Sequence, residues 1–97
     1  MWRREPTEKQ EYLARHGVAP ADIPALAAGL RRELAPVLLL MGMTELARLR
    51  GLPLLQAKRA YYGRGRDKDE RPGSIVDLLA LLGWDSPRFT TWLNRRG

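Results

Sequence analysis

Cysteine is absent from this 97-residue chain, and histidine occurs once, as His16. The first absence removes disulfide cross-links, a thiolate nucleophile and any cysteine-based zinc site. The second leaves a single imidazole, which cannot assemble a metal cluster by itself, and no metal or other cofactor is expected. Paired acidic residues beside a nucleophile are missing too. Asp67, Asp69 and Glu70 are cation ligands by type, but they lack the spacing of an EF-hand loop and are interleaved with Lys68 and Arg71. These gaps argue against an enzyme, and no catalytic residue is assigned.

Long apolar runs are also scarce. The longest, PVLLLMGM at residues 36–43, is far short of the roughly 20 residues that cross a bilayer. It reads as a buried core helix, and no membrane partner is expected. Trp2-Arg3-Arg4-Glu5 leads into a polar stretch rather than the apolar core of a secretion signal. A chain without disulfides fits a reducing compartment, so a cytoplasmic location is expected. The length suits one domain over residues 1–97.

What the chain has in excess is positive charge, gathered in one place. It carries 17 Lys and Arg against 11 Asp and Glu, a net charge of +6. Residues 44–68 hold Arg48, Arg50, Lys58, Arg59, Arg64, Arg66 and Lys68 against Glu45 and Asp67, a balance of +5. A concentrated basic patch suits a polyanionic partner. The plainer alternative is a solvated charged surface, and Asp67, Asp69 and Glu70 partly cancel the cations of their own loop.

No stretch alternates as strands do, and the pattern predicts an all-α, compact bundle of six or seven short helices. Thr7 and Gln10 have the spacing of a capping box for a first helix that Gly17 stops, with His16 suited to its C-terminal dipole. Asp22 is placed to cap a second helix lined by Leu26, Leu30 and Leu34, which Pro36 ends or kinks. Thr44 is placed to cap ELARLR, and LLQAKRAYY follows the turn Gly51-Leu52-Pro53. Residues 63–73 read as a basic loop or wing. Ser74, with Asp77 at the capping-box position, then introduces IVDLLALLG, and Ser86-Pro87 starts a last helix through Asn94. Trp84, Phe89 and Trp92 are expected in the core.

Two short helices crossing at a tight turn need a small residue at the crossing, a residue free to take positive φ in the turn, and an apolar inner face beyond it. In LARLRGLPLLQAKRAYYG these are Ala47, Gly51 and Ala57, with Leu46, Leu52 and Ala60 completing the face. This stretch, residues 44–63, resembles the helix-turn-helix of Cro and phage-repressor DNA-binding proteins. Leu46-Ala47, Gly51-Leu52, Ala57, Ala60 and Gly63 fall on that pattern's Leu-Ala, Gly-Val, buried aliphatic and terminal Gly. Arg50 departs from it, standing where the family has an apolar residue. Leu54 and Leu55 depart as well, standing where it places polar base-reading residues. A weaker resemblance, to the winged helix of MerR-type regulators and excisionases, rests on the same turn, the Tyr61-Tyr62 helix end, the charged loop and SIVDLLALLGWDSPRF.

Both resemblances imply double-stranded DNA as partner and, with the small size, a transcriptional regulator of phage or mobile-element type. A homodimer is expected because one short helix gives little specificity and two half-sites square the recognition. The residues expected at the DNA are Gln56, able to pair with an adenine edge if it faces the groove, together with Lys58, Arg59, Tyr62, Arg48 and Arg50. Arg64, Arg66 and Lys68 are expected on the phosphate backbone. Tyr62, with Tyr61, could stack on bases, although a Tyr beside Gly at a helix end is more often a packing residue. The alternative is a helical interaction module that binds and inhibits or redirects a host protein such as RNA polymerase or a nuclease, with Leu54 and Leu55 as its docking face.

Overall fold

The computed structural model describes residues 8–63 and 72–96. Within them the chain is all-α: α1 (Glu8–Arg15), α2 (Ile23–Met41), α3 (Met43–Arg50), α4 (Leu54–Tyr62), α5 (Pro72–Leu82) and α6 (Ser86–Arg96), with a 3-10 turn at Pro20–Asp22 before α2. Among the described residues no helix is long and apolar enough to cross a membrane.

α5 is the hub. Its Ile75, Leu78, Leu79 and Leu81 are buried, and α2, α4, α1 and α3 all pack against it. From α2 come Ile23, Leu26, Ala27, Leu30 and Leu34, at the three- and four-residue spacing that puts them on one stripe. Leu13 of α1, Leu46 and Ala47 of α3, Ala57 and Ala60 of α4, and Phe89 of α6 complete the core. Trp84 and Trp92 lie at its edge, partly buried, with the Trp92 ring 6.2 Å from that of Phe89.

Six local expectations are corrected. Pro36 does not end α2, which runs on to Met41. Proline deprives the Arg32 carbonyl of its usual donor, but Arg32 is exposed, so water can serve that carbonyl. Residues 36–43 are not a buried core helix: Val37 and Leu38 lean on the core, while Leu39 is 88 % and Leu40 89 % exposed. The reason is length. At 1.5 Å rise per residue, α2 is about 28 Å long and α5 about 16 Å, so the end of α2 overhangs its main partner. Thr44 lies inside α3 rather than capping it, and Gly42 holds the boundary. Ser74 lies inside α5, which begins at Pro72. Asp85 caps α6, accepting the Arg88 N–H at 2.9 Å, so Ser86 is already helical and the helix runs on to Arg96. Asp22 precedes α2 but makes no capping hydrogen bond. Thr7 and residues 64–71 lie outside the described residues.

Candidate nucleic-acid interface

The turn between α3 and α4 follows from its sequence. Gly51 takes φ 70° and ψ 28°, a left-handed conformation that costs glycine little. Its N–H donates to the Arg48 carbonyl at 3.2 Å, and the Leu52 N–H reaches back to the Ala47 carbonyl at 2.9 Å. That bond pair is a Schellman motif, and its usual apolar contact is supplied by Leu52, which packs on the core. Pro53 then leads into α4, whose Ala57 N–H closes the first turn on the Pro53 carbonyl at 3.0 Å.

α4 is held from three sides. Ala57 and Ala60 are buried beneath it. Gln56 donates its amide to Asp77 Oδ1 of α5 at 2.9 Å, and Lys9 Nζ of α1 reaches the same oxygen at 3.4 Å. Arg31 of α2 donates from Nε and Nη2 to the Ala60 carbonyl, at 3.2 and 3.1 Å. A guanidinium at that carbonyl supplies a donor and a positive charge where the helix dipole is negative. Helices α2 and α5 thus fix the direction in which the outer face of α4 points, and α1 braces Asp77 from behind.

That outer face carries Leu54, Leu55, Lys58, Arg59 and Tyr62, at positions i, i+1, i+4, i+5 and i+8, all exposed. Tyr62 is 64 % exposed and touches Tyr61 edge-on, with ring centroids 5.0 Å apart. Among the described residues neither Lys58 nor Arg59 has an ion-pair partner.

The other expected contacts divide. Gln56 is turned toward α5 and engaged with Asp77, not extended from the outer stripe. Arg50 donates from Nε to the Leu81 carbonyl at 3.1 Å and from Nη2 to the Leu82 carbonyl at 3.3 Å. It closes the C-terminus of α5, which explains the charged residue just before the turn. Arg48 is paired with Glu45 on the surface of α3. Arg64, Arg66 and Lys68 lie outside the described residues. Lys58, Arg59 and Tyr62 are therefore the expected contacts that the fold brings together on one open face.

No protein-family model matches the chain, and no curated protein or solved structure is similar to it. The functional case rests on this geometry.

Sequence reasoning missed Arg31 and the role of Asp77. Each acts on a segment 21 or more residues away, and no local spacing signals such a contact. Two shallow depressions flank His16, just past the C-terminal end of α1. Its Nδ1 is 2.8 Å from the Tyr12 carbonyl and its Nε2 2.6 Å from Ser86 Oγ, a link between α1 and α6.

Proposed function

We propose that the chain binds double-stranded DNA sequence-specifically, as a homodimeric transcriptional regulator of phage or mobile-element type, with the outer face of α4 against the major groove. One coincidence carries the reading. The helix that emerges from the left-handed Gly51 turn presents Lys58, Arg59 and Tyr62 to solvent, inside the 25-residue segment that holds five of the six net charges.

The chemistry divides by residue. Lys58 offers a compact cation to phosphate, and Arg59 a planar fork that suits phosphate or the O6/N7 edge of guanine. Leu54 and Leu55 suit a thymine methyl. Gln56 leaves the set of readers and joins the supports of α4. Arg64, Arg66 and Lys68, next in sequence, are assigned to the backbone of the flanking duplex. The first turn of α4 has no side-chain cap, which leaves N–H donors that a phosphate accepts from.

The test is affinity for random and selected duplexes across a salt series. With roughly four to six phosphates neutralised per protomer, the log–log slope is about −4 to −5 per protomer. No binding at about 50 mM salt, where non-specific phosphate contacts are strong, removes the reading.

One observation favours a second reading. Leu55 is 60 % exposed beside Leu54 on the same stripe, which also suits docking on a host protein. Leu54→Ala and Leu55→Ala separate the two: DNA affinity retained while a protein partner is lost favours the docking face.

A further inference from the structure

The end of α2 is the most exposed apolar feature among the described residues. Leu39 and Leu40 are 88 % and 89 % exposed, and Met41 beside them is 37 % exposed. Isolated exposed leucines are ordinary, but adjacent ones on a projecting helix end mark a contact surface. The surrounding charge is as informative as the leucines. Residues 34–44 contain no charged side chain. The nearest charges on either side are engaged: Glu33 accepts the Trp92 indole N–H at 3.3 Å, and Glu45 is paired with Arg48.

We propose that this tip, Leu39, Leu40 and Met41, is the contact through which two copies of the chain associate about a two-fold axis. The charge distribution favours a second copy over a charged partner as the occupant. A two-fold contact sets each group near the axis against its own counterpart, so any charge there meets like charge. The tip is neutral in a molecule of net charge +6, so it satisfies that condition. An acidic partner would find its complement in the segment 44–68 instead. The inference locates the dimer contact that the DNA reading requires and leaves unplaced. Its test involves no DNA: tip variants that stay dimeric overturn the tip and leave the DNA reading standing, whereas a monomeric wild type also removes the homodimer from that reading.

The experiment is sedimentation of the full chain over a dilution series, with two tip variants, Leu39→Glu/Leu40→Glu and Leu39→Lys/Leu40→Lys. The wild type is expected at twice the 11.0 kDa of one chain, and each variant alone at the monomer mass. A one-to-one mixture of the acidic and basic variants is expected to recover the dimer mass, because residue 39 or 40 of one copy then faces opposite charge. Both leucines are almost wholly exposed, so thermal melting of the monomeric variants stays cooperative and serves as the folding control. A wild type that is monomeric throughout assigns the tip to another occupant and overturns the proposal. Variants that remain dimeric, or a mixture that stays monomeric, also overturn it.

Discussion

At the scale of single residues, arginine and glutamine here serve the scaffold as much as the surface. Arg50 stands in a basic segment, and by sequence it belongs to a nucleic-acid face; in the fold its guanidinium closes the carbonyls of Leu81 and Leu82. It lies where a Cβ on Gly83 would come within 2.7 Å, so glycine at 83 makes room for it. Arg50→Ala is therefore expected to cost about 1 kcal/mol of stability through the lost charged cap, seen as an earlier melt, with the salt slope of DNA binding unchanged. Lys58→Ala should do the reverse, leaving the melt alone and flattening the slope by about one unit. A melt unaffected by Arg50→Ala would sink the cap assignment. Tyr12 gives a pH prediction. Burial holds its hydroxyl above the ordinary 10.0, the negative charge of Asp85 adds to this, and Arg15 and a hydrogen bond with Ser86 oppose it. The unfolded chain then gives up the proton first as pH rises. The Tyr12 contribution is complete below pH 10.0 and is lost as pH climbs through that value toward the folded one. Wild-type Tm should fall more steeply than that of Tyr12→Phe above pH 10.0, and equal slopes would refute the linkage.

At the scale of helices, the stops were more legible in the sequence than the starts. Gly17-Val18, Gly51-Leu52 and Gly83-Trp84 each end a helix with the paired bonds of a Schellman motif, the apolar residue after the glycine packing inward. The signal is local, a left-handed glycine and one apolar neighbour, so spacing alone finds it. N-caps were less legible. Thr44 and Ser74 have the right chemistry but lie inside α3 and α5, while Asp85, one residue before the expected start, holds α6. Several residues near a helix start can serve as cap, and packing chooses among them. The α3–α4 crossing is the element on which the candidate interface depends. Ala47 is 2 % exposed there, and Gly51 has nothing within 4 Å of an added Cβ. The two positions should therefore fail for different reasons. Ala47→Leu overpacks the crossing, by about 1–3 kcal/mol. Gly51→Val meets nothing at its Cβ and loses stability chiefly through its positive φ, by about 1–3 kcal/mol. Gly51→Asn, which tolerates the left-handed region, should recover most of that loss. Denaturant midpoints for the three variants test this, and an Asn variant as weak as the Val variant would show that φ is not the cause.

At the scale of the whole molecule, the sequence foretold which faces are apolar but not which helix lies at the centre or how far each extends past its neighbours. The buried leucines of α2 and α5 follow helical spacing, yet nothing in PVLLLMGM says that α5 is too short to cover it. Exposure of that tip is a property of relative lengths, and so is the candidate dimer. The same lengths predict an operator. Gly42 alone separates α2 from α3, so a two-fold axis at the tip lies close to the start of α3. The eight residues of α3 add about 12 Å, and the three-residue turn at most about 10 Å even if extended. Allowing about 5 Å from axis to helix, half of a usual interaxial distance, α4 begins within roughly 27 Å of the axis. Two reading helices one DNA turn apart each need about 17 Å, and two turns apart about 34 Å. α4 packs back against α3, which shortens the path further and leaves the one-turn spacing. Selected operators should therefore be inverted repeats with half-site centres about 10 bp apart. Footprints of the wild type should protect both half-sites on one face of the duplex, and those of Leu39→Glu/Leu40→Glu only one, with weaker affinity. Half-sites two turns apart, or an unchanged footprint for the tip variant, would place the two-fold axis elsewhere on the molecule.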